Sequence, residues 1–440
     1  VAAATAATAA TVATGKTAQA SVVKNIMPAS VMGANERILT GHIGLGGMGK
    51  RDLQLALSTK AIQPIHTCDL VSRFADQGAD MTEGMGGYSR PKTTTRFEEV
   101  IENKDIDAIV IVTPDHWHTI PTIMACEAGK DVWTEKPLTT TIAEVRPVIQ
   151  AVRENETVFQ CGNFQRSGTH FQEVVQMIQE GYIGNVGRVE TWYHDQKLKP
   201  MKPGKTKPAP PFWDRYLGWT PKVPYNSNRF LYNFRWFLNY SGGKMTDWGA
   251  HHVDIAQWII KQCGPGQGPT TIKPVKVDTK VPFDENGNPT LADRYNAPHR
   301  FTVHVQFPDD VLMEITSEGR NGILVEGTKG RIFVNRGTIA GRPIEDLKTN
   351  PLPGGWLEDI YGGKVVEHVN NFFNCIASRK KPASDVWTHV ASINTCHLSN
   401  IAIRLNRQIT WDAATQTIKG DTKANAMLTR DFRKGYEIEM

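Results

Sequence analysis

A chain of 440 residues with 40% apolar and 22% charged side chains has room for two ordinary domains. Its formal charge of +5 is small for that length and argues against nucleic acid as a partner, which calls for a concentrated basic face. No apolar run is long enough to span a bilayer.

The chain opens on low-complexity Ala/Thr, VAAATAATAATVATGKTAQASVVKN, with an A-x-A triplet at Ala18–Ala20. This looks like the tail of an export signal. Residues 1–35 are therefore expected to be a disordered leader or signal remnant, and the protein to be periplasmic or otherwise exported, with the cytoplasm as the alternative. From Arg37 the pattern changes. RILTGHIGLGGMGKRDLQLAL is an apolar run, a glycine turn and then helical spacing. AIQPIHTCD, DAIVIVTP, DVWTEKP and TVFQCGN follow as strands, separated by helices at RFEEVIEN, HTIPTIMACEAGK and TIAEVRPVIQAVREN. Alternating helices and almost wholly apolar strands predict a parallel sheet covered on both faces over residues 36–160.

Residues 161–440 read differently. GRVETWYHD, RFTVHVQFP, DVLMEITSE and ILVEGTKGRIFVNRG are strand candidates, and Phe301, Val303, Val305 and Phe307 alternate with polar residues. That period predicts an α+β domain with a largely antiparallel open sheet. Helices at about 247–262, 365–379 and 387–407 are expected to cover it. QKLKPMKPGKTKPAPPFW at 196–213 has no helical spacing and reads as a solvated loop, with attraction of an acidic substrate as the lesser reading. The six cysteines are scattered without metal or redox spacing and are expected to be buried free thiols.

GLGGMG, Gly44 to Gly49, fits G-x-G-x-x-G between a strand and a helix, and Asp69 ends the next strand. That context is the dinucleotide fingerprint. Gly44 gives the tight turn, Gly46 lets the backbone approach a pyrophosphate, and Gly49 lets helix and strand pack closely. Gly47 and Met48 complete the loop at the helix N-terminus. Asp69 is suited to a ribose 2′-hydroxyl and repels a 2′-phosphate, so the expected cofactor is NAD; Arg73 nearby weakens that preference.

TDWGAHHVDIAQW carries two carboxylates and two imidazoles. Asp247 and His251 are spaced i, i+4 and share a helix face, with Asp254 continuing the stripe. Oxidation of an alcohol beside a nicotinamide needs a base for the hydroxyl proton, and a neutral imidazole oriented by a carboxylate can supply it. His252 points about 100° away and reads as structural or as support for the site. A metal needs more ligands than this face offers, so no metal is expected. Asp254 reads as a helix-surface or domain-contact carboxylate.

With TPDHWH (113–118), AGKDVWTEKP (128–137) and GGKMTDWGAHHVDIAQW, the chain resembles the glucose–fructose oxidoreductase / inositol dehydrogenase (Gfo/Idh/MocA) family from about Arg37 onward. The resemblance implies that Lys136 of E-K-P, with Glu135 beside it, meets both the nicotinamide ribose and the substrate hydroxyl. It implies that Asp247 and His251 are the acid–base pair, and that Thr113, Pro114 and His118 line the cofactor. It further implies a homo-oligomer, dimer or tetramer. FQRS at 164–167 resembles the family's loop on the substrate side, which makes Arg166 a candidate contact. Trp213, Asn233, Arg235, Trp236 and His252 complete the candidate substrate wall, and Tyr240 adds a hydroxyl.

The expected activity is NAD-dependent oxidation of a secondary hydroxyl on a sugar, glycoside or cyclic polyol. The alternative is a glycosidase, epimerase or sugar-to-sugar oxidoreductase that keeps NAD bound and closes its redox cycle through a keto-sugar. A non-catalytic sugar-binding protein is a third class.

Overall fold

The computed structural model describes residues 37–193, 208–361 and 366–438. The leader expected at 1–35 and most of the Lys/Pro loop lie outside the described residues. Strands β1 (Ile38–Ile43), β2 (Ile62–Cys68), β3 (Lys92–Thr94), β4 (Ala108–Ile111), β5 (Asp131–Thr134) and β6 (Phe159–Cys161) form one sheet in the order β3-β2-β1-β4-β5-β6. Every pairing in it is parallel. The crossovers are helices α1 (Gly47–Ser58), α2 (Ser72–Gly84), α3 (Phe97–Ile101), α4 (Thr119–Glu127) and α5 (Val145–Glu154). β4 and β5 are buried at all their positions, because packed side chains cover both faces. Ala108 and Val110 point into one core and Ile109 and Ile111 into another. The strand order reverses between β1 and β4, which opens a crevice beyond their carboxyl ends.

The second sheet has nine strands: β7 (Val186–Trp192), β8 (Thr271–Asp278), β9 (Arg300–Gln306), β10 (Leu312–Thr316), β11 (Gly322–Gly327), β12 (Gly330–Val334), β13 (Ile339–Ala340), β14 (Ile409–Asp412) and β15 (Thr417–Ile418). All its pairings are antiparallel except β7 with β10. Alternation in β9 puts Phe301, Val303 and Val305 on the buried face. There they pack with helices that follow α6 (Thr169–Gln179) and the short α7 (Trp213–Leu217). Met245 and Val253 come from α8 (Lys244–Ile259). Two short helices, α9 (Arg342–Asp346) and α10 (Trp356–Tyr361), lead to α11 (His368–Ser378) and α12 (Val386–Leu405), and α12 adds Ile393 and Leu398 to the same core.

One expected layer is corrected. The helix near 365–379 covers the first sheet rather than the second: Phe372, Phe373 and Ile376 of α11 pack with Ile38, Ala108 and Val110. The start of α12, Val386 and Val390, joins the other face of that sheet. Periodicity reveals that a helix has an apolar face, not which sheet receives it.

Candidate active site

A cavity of about 960 Å3 lies between the carboxyl ends of β1 and β4 and the face of α8 that carries Asp247 and His251. The glycine loop forms one wall. Gly44 has φ +87, and a Cβ there would stand 2.5 Å from the Val112 carbonyl oxygen; one on Gly49 would stand 1.9 Å from the Gly44 carbonyl oxygen. These two glycines are required by packing. Gly46 and Gly47 face open space, with nothing within 4 Å of an added Cβ. The first turn of α1 carries no side-chain cap and no acid, so its N–H groups are available to an anion. The loop therefore fits a dinucleotide pyrophosphate. Asp69 lines the cavity at the end of β2, but its carboxylate also accepts the Leu45 and Val71 N–H groups at 2.8 and 2.9 Å. Burial raises its pKa, and these two bonds oppose the rise. It both shapes the glycine turn and offers its remaining lone pairs to a ribose.

The opposite wall carries Lys136, Asp247 and His251, the candidate acid–base residues. Lys136, directly after β5, reaches across to α8 and donates to Asp247 Oδ1 at 2.8 Å and to the Asp247 carbonyl at 3.0 Å. Arg235 Nε lies 3.6 Å from the same carboxylate oxygen. Burial alone would raise the Asp247 pKa, but Lys136 and Arg235 outweigh it and hold it below the usual aspartate value. His251, one turn on, places Nδ1 3.1 Å from Asn163 Oδ1, while Asn163 Nδ2 donates to the Ala250 carbonyl at 2.9 Å. That fixes the amide's orientation, puts the imidazole proton on Nδ1 and leaves Nε2 with its lone pair. Burial first, then Lys136 and Arg336, depress the His251 pKa well below its ordinary value, so the ring is neutral.

Thr113 and Pro114 line the cavity. His118 does too, but its nitrogens are committed to the protein: Nδ1 is 2.7 Å from the Pro137 carbonyl and Nε2 2.8 Å from that of Thr113. Burial lowers its pKa to about 4. The neutral ring donates to one of these carbonyls only and packs between the two lining turns. Glu135 packs against Asp52 of α1, and burial followed by that neighbouring carboxylate raises its pKa well above the glutamate value. Asp115 also lines the cavity, accepts a hydrogen bond from Ser241, and is pushed up by burial to about 7.

Several expected substrate contacts stand elsewhere. Arg166 is buried, donating to both oxygens of Asp254 at 2.7 and 3.1 Å and lying over the Trp258 ring. Burial disfavours its charge, yet Asp254 raises the Arg166 pKa above the ordinary guanidinium value. Asp254, expected at a surface or domain contact, is itself fully buried. His252 is also buried, with Nε2 2.7 Å from Asn321 Oδ1. Trp213, Trp236 and Tyr240 are core residues, and Asn233 shares the 3-10 turn Leu231–Trp236 with Arg235 without lining the cavity. The aromatic residues on the cavity wall instead include Trp117, Phe164, Tyr216, Phe230 and Tyr232. Two functional candidates had no sequence signal: Asn163, which orients His251, and Arg336, which lines the cavity from the turn after β12. Five of the six cysteines are buried and all are free. Among the described residues no group of three or more His, Cys, Asp or Glu is arranged to hold a metal ion, and no helix is long and apolar enough to cross a membrane.

Residues 38–163 match the model for an oxidoreductase family's NAD-binding Rossmann fold, and residues 189–438 match the C-terminal alpha/beta domain of the same family. The chain belongs to the Gfo/Idh/MocA oxidoreductase family. Among curated relatives, scyllo-inositol 2-dehydrogenase (NAD(+)) of Bacillus subtilis is 26% identical over 64% of this chain and 71% of that enzyme. Myo-inositol 2-dehydrogenase of Thermotoga maritima is 22% identical over 78% of this chain and 90% of that enzyme. The WlbA dehydrogenase of Bordetella pertussis, solved with NADH and UDP-GlcNAcA, shares the fold with a TM-score of 0.59 at 17% identity, over 85% of this chain and 97% of that one. As a Gfo/Idh/MocA protein the chain is an NAD-dependent oxidoreductase.

Two predictions follow from packing. Gly49→Ala is expected to lower folding stability by about 1–3 kcal/mol, the range of an overpacked site, whereas Gly46→Ala leaves it within about 0.5 kcal/mol and weakens NAD binding; urea unfolding and NAD titration separate the two. Arg166→Met leaves Asp254 buried and unpaired, so urea unfolding should lose about 3–5 kcal/mol. A variant as stable as the wild type would mean that this ion pair is not structural.

Proposed function

We propose that this oxidoreductase uses NAD to oxidise a secondary hydroxyl of a sugar, glycoside or cyclic polyol. The observation that carries the reading is the meeting of Lys136, Asp247 and His251 on one wall of the cavity whose other wall is the glycine loop. NAD, when bound, supplies the acceptor for the hydride leaving the carbinol carbon. Lys136 binds the substrate oxygen and stabilises negative charge as it develops there. Asp247 holds the lysine ammonium in place, and His251 Nε2 takes the hydroxyl proton while Asn163 keeps the ring's tautomer and orientation. The inositol dehydrogenases among the relatives act on cyclic polyols, which supports that substrate class. On the face of the second sheet turned away from α8, Arg188 pairs with Glu190 and Glu314, and His304 meets Glu314; assembly of the chain as a homo-oligomer through this open face is part of the proposal.

Lys136→Met and His251→Gln should each lower kcat by about 10²–10⁴-fold on the true substrate, read as NADH absorbance. Wild-type turnover in either would remove that residue from the mechanism. Because the His251 pKa lies well below 6.5, the base is already deprotonated there. The profile of kcat/KM should still be on its plateau at pH 6.5 and fall only at more acid pH; a limb at or above 6.5 would be incompatible with this base in this environment. Denaturing the purified protein and assaying released dinucleotide tests the turnover mode. Net oxidation predicts exchangeable cofactor and product formation only with added NAD. Stoichiometric NAD(H) retained through purification, with product formed without added cofactor, would replace it by the closed redox cycle.

A further inference from the structure

The cations around the reacting centre outnumber the carboxylates available to them. Asp247 already serves Lys136 and Arg235. Arg336 and Arg51 line the same cavity from opposite domains, Arg336 from the turn after β12 and Arg51 from α1. Arg336 Nε donates to the neutral amide oxygen of Gln165 at 3.0 Å, and its guanidinium lies 5.2 Å from the centre of the Trp248 ring. Arg51 meets the Met48 thioether at 3.9 Å and the Phe164 ring at 5.4 Å. Among the described residues neither guanidinium makes an ion pair, and burial, then the Arg51 charge, disfavours the charge of Arg336, which Asp247 only partly supports. A pair of like charges facing an open cavity is a place for an anion, and the guanidinium fork matches two oxygens of a carboxylate or phosphate.

We propose that Arg336, assisted by Arg51, is an oxyanion subsite, so that the substrate carries a carboxylate or a phosphate near the hydroxyl that reacts. The cofactor's pyrophosphate already has its place at the Gly46–Gly47–Met48 backbone and the α1 N-terminus. Arg336 belongs to the other wall, over Trp248, the residue next to Asp247, and its charge is felt by both Asp247 and His251. A substrate anion held there would offset the surplus positive charge beside the base. This inference rests on the dehydrogenase reading of the same site, with the substrate class narrowed from sugars and polyols in general to their acidic derivatives.

Calorimetric titration of the NADH-saturated full chain reads sugar affinity without turnover. The probes are glucose, galactose and mannose, each with its uronate and its 6-phosphate. In at least one set an acidic member should bind about tenfold or more tightly than the neutral sugar, the factor expected of a charge-assisted hydrogen bond. Arg336→Gln should remove most of that advantage and Arg336→Lys keep part of it, with thermal unfolding confirming that both variants fold. The uronate or the phosphate arm, whichever gains, identifies the oxyanion. No acidic preference in any set overturns the inference, as does a preference that survives Arg336→Gln. If Arg336→Gln instead weakens NADH binding and leaves sugar preference unchanged, the arginine serves the cofactor and the inference is likewise lost. NAD reduction by neutral sugars without acidic preference would sink the oxyanion subsite alone. Arginine-dependent binding of sugar acids, with no NAD reduction by any substrate, would sink the dehydrogenase reading alone.

Discussion

The ion pair between Lys136 and Asp247 is the constraint on which the site depends. The lysine leaves the end of a Rossmann strand and the aspartate sits in the first turn of α8, so their 2.8 Å contact spans the two domains. It ties the cavity wall built by the Rossmann half to the wall built by α8. It also sets the charge of its neighbours. With Arg235 added, the pair keeps Asp247 ionised against burial, and together with burial and Arg336 the lysine keeps His251 neutral. A neutral imidazole and a cation are thus held side by side, the protonation states that the proposed alcohol oxidation requires.

The carboxyl groups behind this pair behave oppositely. Burial raises Asp52 to about 7 and lifts Glu135 well above the ordinary glutamate value, and Asp115 also stands near 7. Asp115 feels Arg235 and Lys136, and Glu135 feels Lys136, but neither carboxyl accepts the direct Lys136 ammonium hydrogen bond that Asp247 has, and desolvation prevails. The result is a site whose formal carboxylates overstate its negative charge. The arginines on the cavity wall therefore act in a field more positive than a residue count suggests.

Much of the architecture was legible because it follows from periodicity. The short apolar run at β4 between turn signals reads as a buried parallel strand, and the alternation at Phe301 to Phe307 as a half-covered one. β8 was not legible: TIKPVKVD is polar and contains a proline, yet it pairs on both sides, with a register shift between Pro274 and Lys276 that accommodates the ring. At the site, Asp247 and His251 were visible through i, i+4 spacing, whereas Lys136 needed the family resemblance. Arg166, Trp213 and Trp236 were misplaced as substrate contacts for one reason. Their residue types suit a binding wall and a buried core equally well, and only packing decides which. Arg336 and Asn163 left no trace in the sequence, because their roles arise where a hairpin turn and a loop after β6 happen to meet α8.

The return of α11 to the first sheet has a consequence for how the chain can be divided. The face of β1 and β4 that holds Ile38, Ala108 and Val110 is closed by Phe372, Phe373 and Ile376, contributed more than two hundred residues later. A fragment ending near residue 160 would bare that face to water and lose the packing that finishes its core. The core of the Rossmann half is thus completed by helices from the C-terminal part of the chain. Loss of those helices would disable the nucleotide-binding half at a distance, although they contribute nothing to the wall of its cavity.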